Sequence, residues 1–226
     1  MMETFFKENI KRLETSVKTF PWSQKEIYAQ FLAQTYYYVA HSTRLLAVSA
    51  ARFSIAEEDL HRRFIKHMNE EKGHHLIASF DLKNLGFDIE SFPELPTTKA
   101  LYECQYYKSE YLGPTVLFGY ILALEGLSVT YGKFAYEQVL ENFHEKTVGF
   151  LRVHCDDDIE HIQAAFKHIN QLDDSQILVI KDNFIQSCVM YENFLSSIIK
   201  SISDNIGKLQ GGAMKKVHET DVLALA

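Results

Sequence analysis

His154-Cys155-Asp156-Asp157-Asp158-Ile159-Glu160-His161 is the stretch on which the reading of the fold turns. On a helix, at about 100° per residue, its HxxxDxxH spacing puts His154, Asp158 and His161 within an arc of about 60°. Phe150, Leu151, Ile162, Ala165 and Phe166 flank the triplet, so it lies on or beside an apolar stripe. Two imidazoles and a carboxylate facing a core are costly unless something neutralises them. Taken alone, the same spacing also suits a surface ladder of ion pairs.

A counterpart lies upstream in His67-Met68-Asn69-Glu70-Glu71-Lys72-Gly73-His74-His75, where His67, Glu71 and His74 repeat the i, i+4, i+7 pattern. Glu71 and His74 form an ExxH pair, the spacing that brings a carboxylate and an imidazole to one metal in helical bundles. Glu70 and Lys72 read as a solvated face. Glu125 is a lone carboxylate in an apolar run from Val116 to Val129. It needs a partner, either a metal or an arginine such as Arg44, and Gly126 beside it would admit a neighbouring helix or ligand. Three imidazoles and three carboxylates from three helices suit a dinuclear site. With no cysteine among them, iron or manganese fits better than structural zinc, and iron is favoured because such sites leave positions open for dioxygen.

Working outward, four prolines and ten glycines punctuate 226 residues, and the intervals between them carry period-3.6 apolar patterns. The expectation is an all-α bundle of seven helices, over about 3–18, 23–53, 54–85, 97–110, 114–143, 145–170 and 173–204. Ser23 and Glu26 are read as a capping box, Gly86 as a C-terminal stop, Gly113-Pro114 as a break, and Asp173 or Asp174 as an N-cap. Residues 1–205 are expected to form a single helical metal-binding domain, and 206–226 a loosely held tail.

The longest apolar stretches are interrupted by charge before the roughly 18 residues of a bilayer span, so no membrane helix is expected. Met1 to Glu14 lacks the basic start and apolar centre of a secretion signal, which points to a cytoplasmic protein. A net charge of −7 speaks against nucleic acid as a partner. Cys104, Cys155 and Cys188 suit neither a disulfide framework nor a zinc site, and read as buried thiols.

At these residues the sequence resembles the haem-oxygenase-like di-iron oxidases, which share a seven-helix fold with TenA thiaminases and pyrroloquinoline-quinone synthase. The resemblance lies in Gln34-Thr35-Tyr36-Tyr37-Tyr38-Val39-Ala40-His41, in Glu70-Glu71-Lys72-Gly73-His74 followed by Asp81-Leu82 and Leu85-Gly86, in the Glu125 helix, and in HxxxDxxH. It implies Glu71, His74, Glu125, His154, Asp158 and His161 as ligands of two iron ions. Dioxygen would be the co-substrate, and an amine, amino acid or fatty acid the small-molecule substrate.

Some relatives add a glutamate from the second helix, or one seven residues before the histidine that matches His74. Here those regions hold Tyr36, Tyr37, Tyr38 and His41, and His67; His67 or His41 is the expected substitute. Tyr37 and His41 are the candidate catalytic residues. Tyr37, Tyr38 and Tyr120 could orient substrate or donate electrons, with simple packing as the alternative. Pocket walls are expected from Tyr37, His41, Phe118, Ile121, Leu122 and Leu151, and a homodimer is expected by analogy. Two other functions stay open: a cofactorless acid–base enzyme of the thiaminase or quinone-synthase type, with Cys155 as its thiol, and a non-enzymatic helical partner-binding protein.

Overall fold

The computed structural model describes residues 2–223, and of Asp156, Asp157 and residues 205–223 only the helical backbone. The tail expected over 206–226 therefore lies outside the fully described residues. No strand occurs among the described residues, and the helices group into eight rods. Rod α1 joins Met2–Asn9, a 3-10 turn at Ile10–Leu13 and Glu14–Lys18. Rod α2 joins Lys25–Val39 and Ser42–Ala50 across a two-residue break. Then follow α3 (Glu58–Glu70), α4 (His74–Asn84) and α5 (Pro96–Tyr111). Rod α6 spans Pro114–Leu140 with a π-helical turn at Ser128–Gly132, and α7 (Gly149–Ile169) and α8 (Asp174–Leu223) complete the set.

The eighth rod arises where a single helix over 54–85 is expected. Gly73 takes φ +90°, a left-handed conformation that ends α3 and restarts the chain as α4. Gly86 and Gly113 also turn the chain at positive φ, where the sequence places a stop and a break. The capping box forms at Ser54–Glu57, with both reciprocal bonds present. At the expected Ser23–Glu26 site the N-cap is Gln24, whose side chain makes no cap bond. Asp173 does cap α8, its Oδ1 accepting the Gln176 N–H at 2.9 Å.

Rod α6 is long and apolar enough to cross a membrane, contrary to the expectation from its interruptions, but 72% of its most apolar window is buried inside the protein. It is the central core element, packed chiefly on α8 and α7. Its Gly126 is required by packing: a Cβ there would lie 2.7 Å from Cζ of Phe6 in α1. The first half of α2 packs on α4 and its second half on α3, so a break in α2 accompanies the break between its two partners. Phe64 of α3, 1% exposed, meets Phe53 and Phe118 edge to face at 5.1 and 5.0 Å.

Candidate metal centre

Along α3, Leu60, Arg63, Phe64 and His67 form one buried stripe at i, i+3, i+4 and i+7. The hydrophobic burial of Leu60 and Phe64 thus carries His67 into the interior. Glu71 follows as the C-cap residue of α3, and Gly73 redirects the chain so that His74 opens α4 beside it. Across from them stand Glu125 of α6 and the α7 triplet of His154, Asp158 and His161.

The side chains meet. His67 Nε2 lies 2.8 Å from Glu125 Oε1 and 3.7 Å from Glu71 Oε1. His74 Nδ1 is 3.6 Å from Glu71 Oε2, and its ring centroid is 4.9 Å from that of His154. His161 Nδ1 faces Asp158 Oδ1 at 3.6 Å and Glu125 Oε1 at 3.7 Å, while its Nε2 faces Glu70 Oε2 at 3.3 Å. Two sets of donors each lie within 4.8 Å of one another: His67, Glu71, Glu125 and His161 in one, and Glu71, His74 and His154 in the other. Glu71 belongs to both sets.

Few of these contacts are hydrogen bonds. His67 Nε2, His74 Nδ1, Glu125 Oε2 and His161 Nδ1 are buried and lack hydrogen-bond partners. The short His67–Glu125 approach is thus an ion pair out of line with the ring N–H. Each unsatisfied buried polar atom costs about 1–3 kcal/mol, and four of them converge at one place. The donor set of imidazoles and carboxylates without thiolates fits iron or manganese. His154 is oriented for the role: its Nδ1–H donates to the Phe150 carbonyl at 2.8 Å, leaving Nε2 free to coordinate.

Electrostatics agree with the geometry. Burial pulls the His67 imidazole down, but Glu125 and Glu71 outweigh it and hold His67 up at about 9. Burial pushes Glu71 up, and His67 overrides it, leaving the carboxyl at about 2. Asp158 moves the other way, raised to about 6 by burial. Burial lowers His161, yet the neighbouring Asp158 and Glu125 raise it overall.

A cavity of about 960 Å³, the space at its mouth included, opens beside the cluster. His67, Glu71, Glu125, His154 and Asp158 form part of its wall, and apolar side chains form most of the rest. Ile121 and Leu151 line it as expected. Phe118 and Leu122 instead pack in the core, 1% and 0% exposed. Val17, Trp22 and Phe31 line it although no local pattern marks them, because chain folding alone brings them there.

The structure does not bring Tyr37 and His41 to this site. The Tyr37 hydroxyl donates to the Phe92 carbonyl at 3.2 Å. His41 stacks on Tyr102 at 3.7 Å, with Nδ1 2.9 Å from the Tyr106 hydroxyl. Both lie on the flank of α2, while Tyr38, Ser42, Leu45 and Leu46 form its cavity-lining stripe. Arg44 is not the partner of Glu125; its guanidinium donates to the Ala40 carbonyl. Of two further residues near the cluster, Arg63 escaped the sequence reading and Glu70 was read as part of a solvated face. Glu70 is half-buried, its Oε2 facing His161 and its Oε1 pairing with the exposed Lys66 at 3.1 Å, and Arg63, 8% exposed, places Nη1 3.8 Å from Glu70 Oε2 and Nη2 3.5 Å from the His161 carbonyl. The signal for Arg63 was its place on the Leu60–Phe64–His67 stripe. The cysteines form no disulfide; Cys188 is buried, and Cys104 and Cys155 are half-buried.

A family model described as iron-containing redox enzyme matches residues 29–181. No curated protein matches the sequence. Among solved structures, a Shewanella denitrificans domain of unknown function with a haem-oxygenase-like fold is similar at TM-score 0.82 and 19% identity, covering 94% of this chain and 96% of that one. A TenA homologue from Pseudomonas syringae pv. tomato gives TM-score 0.73 at 15% identity, covering 87% and 90%. Another from Pyrococcus furiosus gives 0.67 at 16%, covering 86% and 99%. These likenesses establish a haem-oxygenase-like fold, with eight helical rods among the described residues of this chain.

Proposed function

The chain belongs to the iron-containing redox enzyme family, and on that premise we propose that it is a non-haem di-iron oxidase or oxygenase acting on a small organic substrate. The observation that carries the reading is the pair of donor sets sharing Glu71, since a carboxylate common to two sets suits a bridge between two ions. His67, Glu125 and His161 would hold one ion and His74 and His154 the other. Asp158, implied as a ligand by the resemblance, stands beside His161 at 3.6 Å and belongs to neither set. Bound there, iron supplies the capacity to bind and reduce dioxygen.

The protein's part is positioning and exclusion of water. The Phe150 carbonyl fixes the His154 tautomer. Glu70, paired with Lys66 and near Arg63, faces His161 Nε2, while Nδ1 faces Asp158 and Glu125. The apolar cavity places a substrate beside the cluster while limiting the water that reaches it. A cofactorless acid–base enzyme of the thiaminase type shares the fold. The orphaned donor atoms favour the metal reading over it, and Cys155, its candidate thiol, is not among the cavity walls but packs toward Gly132 of α6.

The test is anaerobic reconstitution with ferrous iron. About two equivalents per chain and a transient visible absorption on mixing with oxygen are expected. Protein that takes up no iron overturns the proposal.

A further inference from the structure

The two ring nitrogens of His161 face different surroundings. Nδ1 lies 3.7 Å from Glu125 Oε1, on the side of the donor set, and is buried without a hydrogen-bond partner. Asp158 Oδ1, 3.6 Å from the same nitrogen, is too far to accept a hydrogen bond from it. Nε2 points to Glu70 Oε2 at 3.3 Å. His67 packs against the ring, the two centroids 4.6 Å apart. A neutral imidazole carries one N–H and one free lone pair. A His161 that gives the lone pair of Nδ1 to a cation therefore keeps its proton on Nε2, and in a ring only 7% exposed that N–H needs an acceptor.

Glu70 is placed to be that acceptor. It follows Arg63 and His67 on α3 at i+7 and i+3, which puts it on their side of the helix. Its two oxygens have separate environments. Oε1 pairs with the exposed Lys66 at 3.1 Å, whereas Oε2 is buried and has no aligned hydrogen-bond donor. Oε2 thus lacks a donor while standing 3.3 Å from a nitrogen able to supply one. Arg63 spans the same pair, with Nη1 3.8 Å from Glu70 Oε2 and Nη2 3.5 Å from the His161 carbonyl.

We infer that His161 binds metal through Nδ1, and that Glu70 is its positioning residue, accepting the Nε2–H bond that fixes this tautomer. The inference deepens the di-iron reading and rests on it. His154 is set the opposite way, its Nδ1–H bonded to the Phe150 carbonyl and its Nε2 left for the metal. The first and last residues of HxxxDxxH therefore present different nitrogens, each chosen by the acceptor behind the ring.

Zinc alone is the probe, because it is redox-inert and accepts imidazole and carboxylate ligands. The full chain, isotopically labelled in its histidine rings and loaded with zinc, is followed by long-range proton–nitrogen correlation, each ring assigned from the matching His→Gln variant. The proton of His161 is expected on Nε2 and that of His154 on Nδ1. Glu70→Ala is expected to weaken zinc and ferrous iron binding about 10–100-fold. Glu70→Gln, whose amide oxygen still accepts the bond, is expected to lie closer to the unaltered chain than to Glu70→Ala. Both variants lose the ion pair with Lys66, so the gap between them reads the bond to Nε2 rather than the surface charge.

A proton on Nδ1 of zinc-loaded His161, undiminished affinity in Glu70→Ala, or Glu70→Gln as weak as Glu70→Ala overturns the inference. The tautomer is read in the unaltered chain, so that result stands even if a variant folds badly. Metal content of the same samples keeps the two readings apart. Metal held through the other nitrogen of His161 sinks this inference alone, and protein that takes up no metal sinks the di-iron reading and this inference with it.

Discussion

Glu71 shows how much one side chain decides here. It is buried beside two imidazoles, held ionised by His67, and shared between two donor sets. Glu71→Ala is therefore expected to abolish uptake at both positions, whereas His74→Ala should leave about one ion per chain, because the His67, Glu125 and His161 set stays whole. Metal analysis after anaerobic loading and desalting reads the difference. Equal losses in the two variants would show that Glu71 is not shared. The sequence made the ligand candidates legible, since imidazoles and carboxylates on apolar stripes demand compensation. It left Tyr37 and His41 misplaced relative to the cluster, because a residue's face on α2 follows from which side of the helix packs inward, and a run of tyrosines carries little amphipathic contrast.

At the scale of elements, two devices hold the ligand helices in register. Gly73 breaks what reads as one helix, and the break turns His74 toward Glu71. A Cβ at Gly73 meets nothing within 4 Å, so the whole penalty of Gly73→Ala is backbone strain at φ +90°, about 1–2 kcal/mol. Chemical denaturation should show that loss, and weaker iron uptake at the His74 set should accompany it.

The second device is Asp81 of α4, 2% exposed, whose Oδ2 accepts the Phe150 N–H at the start of α7 at 2.7 Å. It ties the helix of His74 to the helix of His154. Burial raises its carboxyl to about 6, against bonds from Phe150 and Gly149 that lower it. A pKa raised on folding means that the native state binds the proton more tightly than the unfolded chain. The stabilising contribution is present below about pH 4 and is lost as pH rises to about 6. Relative to Asp81→Asn, which keeps an acceptor and does not titrate, the native chain should lose up to about 3 kcal/mol across that window and nothing further above it. Thermal midpoints of the two proteins from pH 4 to 7 check this, and parallel curves would contradict it.

Over the whole molecule, the cluster joins α3, α4, α6 and α7, so ions bound there link elements distant in sequence. Iron at about a hundred times its dissociation constant should add about 2.7 kcal/mol of stability, seen as a higher thermal midpoint that a chelator reverses. An unchanged midpoint would mean that the site is not assembled by folding. The sequence by itself determined the helical class, the turns at Gly86 and Gly113, a cap at Asp173 or Asp174 and the candidate donors, because periodicity, positive-φ glycines and misplaced charges are local signals. Tertiary structure alone decided that there are eight rods, that Glu71 is common to two donor sets, that Arg63 and Glu70 support His161, and that Val17, Trp22 and Tyr120 share one cavity. Those facts concern which surfaces meet, and such meetings depend on how whole helices pack rather than on any stretch of neighbouring residues.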